Sequence, residues 1–298
     1  MLSKEIATQM RGRALSWELF PFSFHEFLDN LKIKTSTLHS TRERFQIQNA
    51  FSDFWEQGGF PEVLGISGEL RIKIHQEYVN SILFRDMIER YDISHPRAVI
   101  DLSRRLMENV ASLYTLNGLT NYLKSLGHKV PKNSVAEYLS WFEDAYFLFT
   151  VRVFSASYGK SNANPKKIYC IDHALIRSVT SGILLNNGHL LENIVFVALR
   201  RYSEVIYYYK TESNQEIDFL VQDSQRNFAL FQVSETLANP TTRQREISAL
   251  QHAMNELDVP KAMIITRSES EKLTFGSRTI EIVPVWKFLL LSDPAKQI

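Results

Sequence analysis

Two short apolar runs constrain this chain most: Glu216-Ile217-Asp218-Phe219-Leu220-Val221 and, after a brief polar turn, Ala229-Leu230-Phe231-Gln232-Val233-Ser234. Each has the length and near-continuous hydrophobicity of a buried strand, so the pair reads as a hairpin. One acid, Asp218, stands among the apolar side chains. An ionised carboxylate is expensive to bury alone, so Asp218 demands a cation, a metal or several hydrogen bonds. Gln232 and Ser234 are two apart and share one face of their strand, a face Asp218 reaches if the hairpin registers them.

The segments around the hairpin alternate in period. A strand is expected at Ile168–Ile171, a helix from near Asp172, a helix over about Leu190–Arg201 that carries Glu192, and a strand at Val205–Tyr209. After the hairpin come a helix over Thr241–Leu257, a strand at Ala262–Ile265 and an apolar segment over Ile280–Leu291. That order describes an α/β domain around a central mixed sheet. Upstream, residues 42–90 are helical in pattern and broken at Gly58-Gly59-Phe60-Pro61. The helix expected over 67–90 puts Ile72, Tyr78, Ile82, Phe84 and Ile88 near one stripe, as in a helical lid or linker.

Residues 97–155 have the grammar of a helix-turn-helix. A helix with Leu102, Leu106 and Val110 precedes one that Gly127 ends and another that Asn133 or Ser134 caps, and Ala145–Val153 then supplies a helix end and the first strand of a wing. The first 30 residues offer a helix from Ser3 to Met10, a break at Arg11-Gly12-Arg13, a strand at Ser16–Phe20 and a helix at Ser23–Leu28. These cannot bury one another, so they pack on the rest of the chain or end a sheet whose earlier strands are missing.

A net charge of +1 neither argues for nucleic acid nor excludes it, because binding needs local basic patches. The one cysteine, Cys170, rules out an intrachain disulfide or a cysteine metal cluster and suits a buried thiol in a reducing cytosol. No apolar run approaches the roughly 18 residues of a membrane span, so a cytoplasmic protein is expected. Lys132 and Asn133 on the second helix, with Lys160, Lys166 and Lys167 in the loop after the wing strand, are the candidate phosphate contacts. Glu137, Tyr138 and Ser140 make that helix poor at reading base edges.

Metal-assisted phosphodiester cleavage needs carboxylates to hold Mg²⁺ and a positive group beside them. The candidates are Glu192 and Asp218, as acids and metal ligands, with Gln232 and Ser234 on the adjoining strand. Neither Gln232 nor Ser234 is charged, so the set falls short of one anion and of the positive group. The structural readings are a first-turn helix acid for Glu192 and, for Asp218, an ion pair with Lys210, Arg200 or Arg243.

Spread along the chain, Leu2-Ser3-Lys4-Glu5-Ile6, Leu15-Ser16-Trp17-Glu18-Leu19-Phe20-Pro21, Gly58-Gly59-Phe60-Pro61-Glu62, Arg85-Asp86-Met87-Ile88-Glu89-Arg90-Tyr91, Asn164-Pro165-Lys166-Lys167-Ile168-Tyr169, Leu191-Glu192-Asn193 and Glu216-Ile217-Asp218-Phe219 resemble the prokaryotic AAA-type ATPases that end in the domain of unknown function DUF4143. The resemblance implies an α/β and α multidomain chain: residues 1–41 as the remnant of an ATPase core, 42–96 as a helical lid or linker, 97–160 as a winged helix-turn-helix and 161–298 as the DUF4143 domain, similar to the restriction-endonuclease-like fold. It places Arg11 and Arg13 beside a nucleotide site, Glu192 and Asp218 at nuclease acid positions and Gln232-Val233-Ser234 where such nucleases carry E-x-K. There is no G-x-x-x-x-G-K-[ST] loop, so ATP belongs to the longer family architecture and hydrolysis by this chain is not expected. The function implied is a non-catalytic region that binds DNA, another protein or an ATPase core and needs no cofactor. The alternative is a nuclease using Mg²⁺ or Mn²⁺.

Overall fold

The structure, a computed structural model, describes residues 18–35, 40–155, 165–180, 186–222, 227–292 and 294. Three helices come first: α1 (Phe24–Asn30), α2 (Thr41–Gln57) and α3 (Gly68–Ser81). Ser23 and Ser40 start the first two through capping boxes with Glu26 and Glu43, which satisfy amides a helix leaves unpaired at its beginning. The helix expected over 67–90 is divided, since α3 gives way to a wider π-helical stretch at Ile82–Glu89. Next are α4 (Pro96–Glu108), β1 (Leu113–Tyr114), α5 (Leu116–Ser125), α6 (Lys132–Asp144), β2 (Leu148–Val153) and β3 (Lys166–Cys170).

The remaining elements are α7 (His173–Val179), α8 (Asn187–Arg200), β4 (Ile206–Lys210), β5 (Glu216–Gln222), β6 (Phe228–Val233), α9 (Pro240–Glu256), β7 (Lys261–Thr266), β8 (Glu271–Phe275), β9 (Arg278–Pro284) and the short α10 (Val285–Phe288). One mixed sheet of nine described strands runs in the order β1-β3-β2-β4-β5-β6-β7-β9-β8. Its two halves meet where β2 lies parallel to β4 through Arg152↔Tyr207 and Val153↔Tyr208.

Alternation along the strands sorts side chains between two cores. Phe219, Phe231, Met263 and Ile265 join α8 and the helical N-terminal part, whereas Leu220, Leu230, Ala262 and Ile264 face α9. The expected hairpin is β5–β6, registered Phe219↔Phe231 and Leu220↔Leu230. Against β4, however, Tyr207↔Leu220 and Tyr209↔Ile217 leave one extra residue in β5, a bulge at Asp218–Phe219. Bulges re-aim side chains, and this one breaks strict alternation between Asp218 and Phe219.

The paired glycines form a joint. Gly58 has φ +74°, and a Cβ there would lie 2.4 Å from Asp172 Oδ1; one on Gly59 would lie 2.4 Å from the Phe22 carbonyl oxygen. The closeness is what allows the Gly59 amide to donate to Asp172 Oδ2 at 2.7 Å, while Asp172 Oδ1 takes the Ala174 amide at 2.7 Å and so caps α7.

Several expectations need correction. Ser16 and Trp17 lie outside the described residues, as do Ser3–Met10, Arg11 and Arg13, but Glu18–Phe20 form no strand and Glu18 instead pairs with Arg200 at 2.6 Å. Helix α6 starts at Lys132 with the extended Pro131 before it, so neither Asn133 nor Ser134 is its cap. The apolar segment Ile280–Leu291 divides at Pro284 into the end of β9 and α10. Strand β8 was not expected, because it is a largely exposed edge with no apolar alternation to reveal it.

Candidate functional site

Lys167 and Tyr169 are two apart on β3 and point together toward α8. The Tyr169 ring stacks on Phe196 of α8, centroids 4.4 Å apart and planes within 12°. Beside it, the Lys167 Nζ lies 2.9 Å from Glu192 Oε1, 2.8 Å from Glu216 Oε1 and 2.9 Å from Asp218 Oδ1. The lysine side chain is only 3% exposed, so these carboxylates stand in for the water an ammonium would otherwise hold. Tyr169 donates its hydroxyl to Glu192 Oε1 at 2.7 Å.

The centre continues into the end of the hairpin. Past the Phe219↔Phe231 pair, side chains take over the strand ladder: the Val233 amide donates to Asp218 Oδ2 at 2.9 Å and the Asp218 amide to Gln232 Oε1 at 3.1 Å. Gln232 Nε2 donates in turn to Glu246 Oε2 of α9 at 2.8 Å, and Arg245 holds the other oxygen of Glu246.

Burial, with Asp218 adding to it, pushes the Glu192 carboxyl up to about 8 against the pull of Lys167 and Tyr169. Burial works against the Lys167 ammonium, but Asp218, Tyr169, Glu192 and Glu216 outweigh it and hold its pKa well above the usual lysine value. Lys167 is thus a permanent cation here and not a base. His189, above the same centre on α8, is pushed down by burial and by Lys167, so its imidazole is neutral.

Glu192 and Asp218 come together as the sequence suggested, but through Lys167. Lys167 is not a loop residue touching phosphates: β3 begins at Lys166, which points one lysine outward and turns the next into the core. Arg200 and Arg243 are engaged by Glu18 and Glu271, and it is Lys167 that pairs with Asp218. Glu192 lies beyond the first turn of α8, so the helix-dipole reading of it falls. Ser234 stands apart, its hydroxyl donating to the Thr236 carbonyl at 3.0 Å. Sequence reasoning gave Lys167 another role and missed Tyr169 and Glu216. Glu216 carried a signal, since it lies two residues before Asp218 on one strand.

The nuclease resemblance implies Mg²⁺ or Mn²⁺. Glu192, Glu216 and Asp218 have the right donor chemistry, but the oxygens that would converge on a metal converge on the ammonium. Among the described residues no group of His, Cys, Asp and Glu is arranged to hold a metal ion. As they stand, these side chains do not fit one.

On the other face of β3, a groove of about 440 Å³ opens between the start of α5, one side of α6 and strands β2 and β3. Asn117, Lys132, Ser140, Glu143, Arg152 and Lys166 line it. Glu143 is committed to the Thr150 amide at 2.9 Å. Asn133 does not line the groove, and Lys160 lies outside the described residues.

Residues 187–288, which span α8 to α10, match the family model described as domain of unknown function DUF4143. The C-terminal region is a DUF4143 domain. Residues 48–184 match a second model, the domain of unknown function DUF8612, so the Lys167 centre joins a residue of the DUF8612 match to acids of the DUF4143 domain. An uncharacterized protein of Methanocaldococcus jannaschii is 35% identical over 97% of this chain and 66% of its own length. One of Haemophilus influenzae is 26% identical over 74% of this chain and 54% of its own. The chain therefore spans just under two thirds of the first relative and about half of the second. A chain of the solved Thermococcus gammatolerans assembly of McrB AAA+ hexamers with bound McrC aligns over 61% of this chain and 46% of its own at 12% identity. The TM-score of that alignment, 0.24, is too low to carry an argument about fold or function. No described helix is long and apolar enough to cross a membrane.

Proposed function

We propose that this chain is a non-catalytic, nucleic-acid-holding region of an AAA-type ATPase, in which the DUF4143 domain is a nuclease-like scaffold. The observation that carries the reading is the groove: Lys132, Arg152 and Lys166, from a helix and two strands, line one concave face beside the start of α5. The order α4-β1-α5-α6-β2-β3 with strands paired β1-β3-β2 supports reading this part as a winged helix, and the order α8-β4-β5-β6-α9-β7 supports a restriction-endonuclease-like core. Three cations against one engaged acid favour phosphates over base edges, so binding without sequence preference is expected.

Fluorescence anisotropy with labelled duplex DNA at two salt concentrations tests it. Neutralising three phosphates predicts a slope of log K on log salt of about −2.7, and Lys166→Glu, with wild-type folding retained, should flatten it by about one unit. Binding that ignores salt, or no binding, would redirect the reading to a protein partner. A second reading, a metal-dependent nuclease, draws on one observation: Lys167 supplies beside Glu192 and Asp218 the positive charge that Ser234 does not. Cleavage in Mn²⁺ that Asp218→Ala abolishes would establish it.

A further inference from the structure

We infer that Lys167 is a built-in counter-cation, taking within the DUF4143 acid centre the position a divalent metal would share, and that the centre is a latent metal site closed by this side chain. The inference rests on the nuclease-like reading of the core but not on the groove.

The geometry carries it. Three acidic side chains from two elements, Glu192 of α8 and Glu216 and Asp218 of β5, each present one oxygen to a single point, and the Lys167 Nζ occupies that point at 2.8–2.9 Å. Glu216 and Asp218, two apart on β5, reach it from the same face, just before the bulge. A Mg²⁺ ion holds oxygens at about 2.0–2.1 Å and demands octahedral ligation. Sharing these oxygens with the ammonium would press two cations together at a site where Lys167, Glu192 and Asp218 are buried and Glu216 is part-exposed, so their repulsion is only partly screened. The remaining positions near Asp218 are also spent, since its second oxygen holds the Val233 amide and Gln232 is bonded to the Asp218 amide and to Glu246. Lysine thus supplies the charge that the fold of the hairpin requires and removes the vacancy that hydrolysis requires.

Removing the ammonium without removing its bulk should reopen the site. Titration of the full chain with Mn²⁺, followed by the electron paramagnetic resonance of the free ion, is expected to show no saturable site in the wild type at millimolar metal. Lys167→Met should gain one site per chain, and Lys167→Met with Asp218→Asn should lose it. If Lys167→Met does not fold in metal-free buffer, refolding it and Lys167→Ala in Mn²⁺ should restore structure. A wild type that already binds Mn²⁺ through Asp218, a folded Lys167→Met that binds none, or failure of both variants to refold with the metal would each overturn the inference. DNA binding measured on the same wild-type preparation reports on the groove alone, so either idea can fail without the other.

Discussion

Two buried acid sites in this molecule solve the same problem by opposite means. Asp172 is satisfied by main chain: its oxygens take the amides of Gly59 and Ala174, both at 2.7 Å, with glycine required at 58 and 59 so that the backbone can come close. The centre at Asp218 is satisfied by a side chain, the ammonium of Lys167, which reaches it from another strand. Amide dipoles hold one carboxylate in a fixed place and leave nothing exchangeable. An ammonium balances several carboxylates at once and is, chemically, a replaceable cation. The first arrangement is a joint between chain segments, and the second is an ion cluster that ties β3 to β5 and α8.

The comparison breaks most directly at Lys167. Taking away one partner of a buried ion pair leaves uncompensated charge, which costs about 3–5 kcal/mol. Lys167→Met should therefore lower the unfolding free energy by about that amount in urea titrations without metal, and a loss below about 1 kcal/mol would mean that the acids are adequately held without it. The joint should suffer by a comparable amount. Asp172→Ala strands two buried amides, at about 1–3 kcal/mol for each. Its loss should be indifferent to Mn²⁺, whereas that of Lys167→Met should be recovered by it; the same urea titrations with and without the ion separate the two.

The two sites also differ in how far they could be read from the sequence. The glycine pair announced a turn and Asp172 a helix start, because both signals are local and follow from backbone sterics and capping. The hairpin and its acid were equally plain, and the cost of burying Asp218 correctly demanded a partner. Its identity was not legible: Lys167 lies 51 residues away, and in the sheet β2 and β4 stand between its strand and β5. A boundary error of two residues compounded this, since reading the strand from Ile168 left the lysine in a loop. The bulge was hidden for a related reason, because it exists only in the pairing of β5 with β4 and not in either strand alone.

The smallest effect sharpens the comparison through pH. Glu192 is raised from 4.5 to about 8, mainly by burial and next by Asp218, so between those values the folded chain keeps a proton that the unfolded chain has released. Stability from this group is fully present at the acid end and is lost as pH rises toward about 8. The slope is at most about 1.4 kcal/mol per pH unit for one proton. Glu246 is also raised by burial and adds the same sign, while the lowered imidazoles of His75, His173 and His189 act oppositely as pH rises through the ordinary histidine range. The wild-type curve is therefore a sum, and the informative quantity is its difference from Glu192→Gln, which keeps the shape and cannot titrate. Urea unfolding at several pH values should show the variant gaining on the wild type from pH 5 to pH 8. Equal curves would mean that Glu192 is ionised beside Lys167 and that the centre holds one more negative charge for a metal to answer.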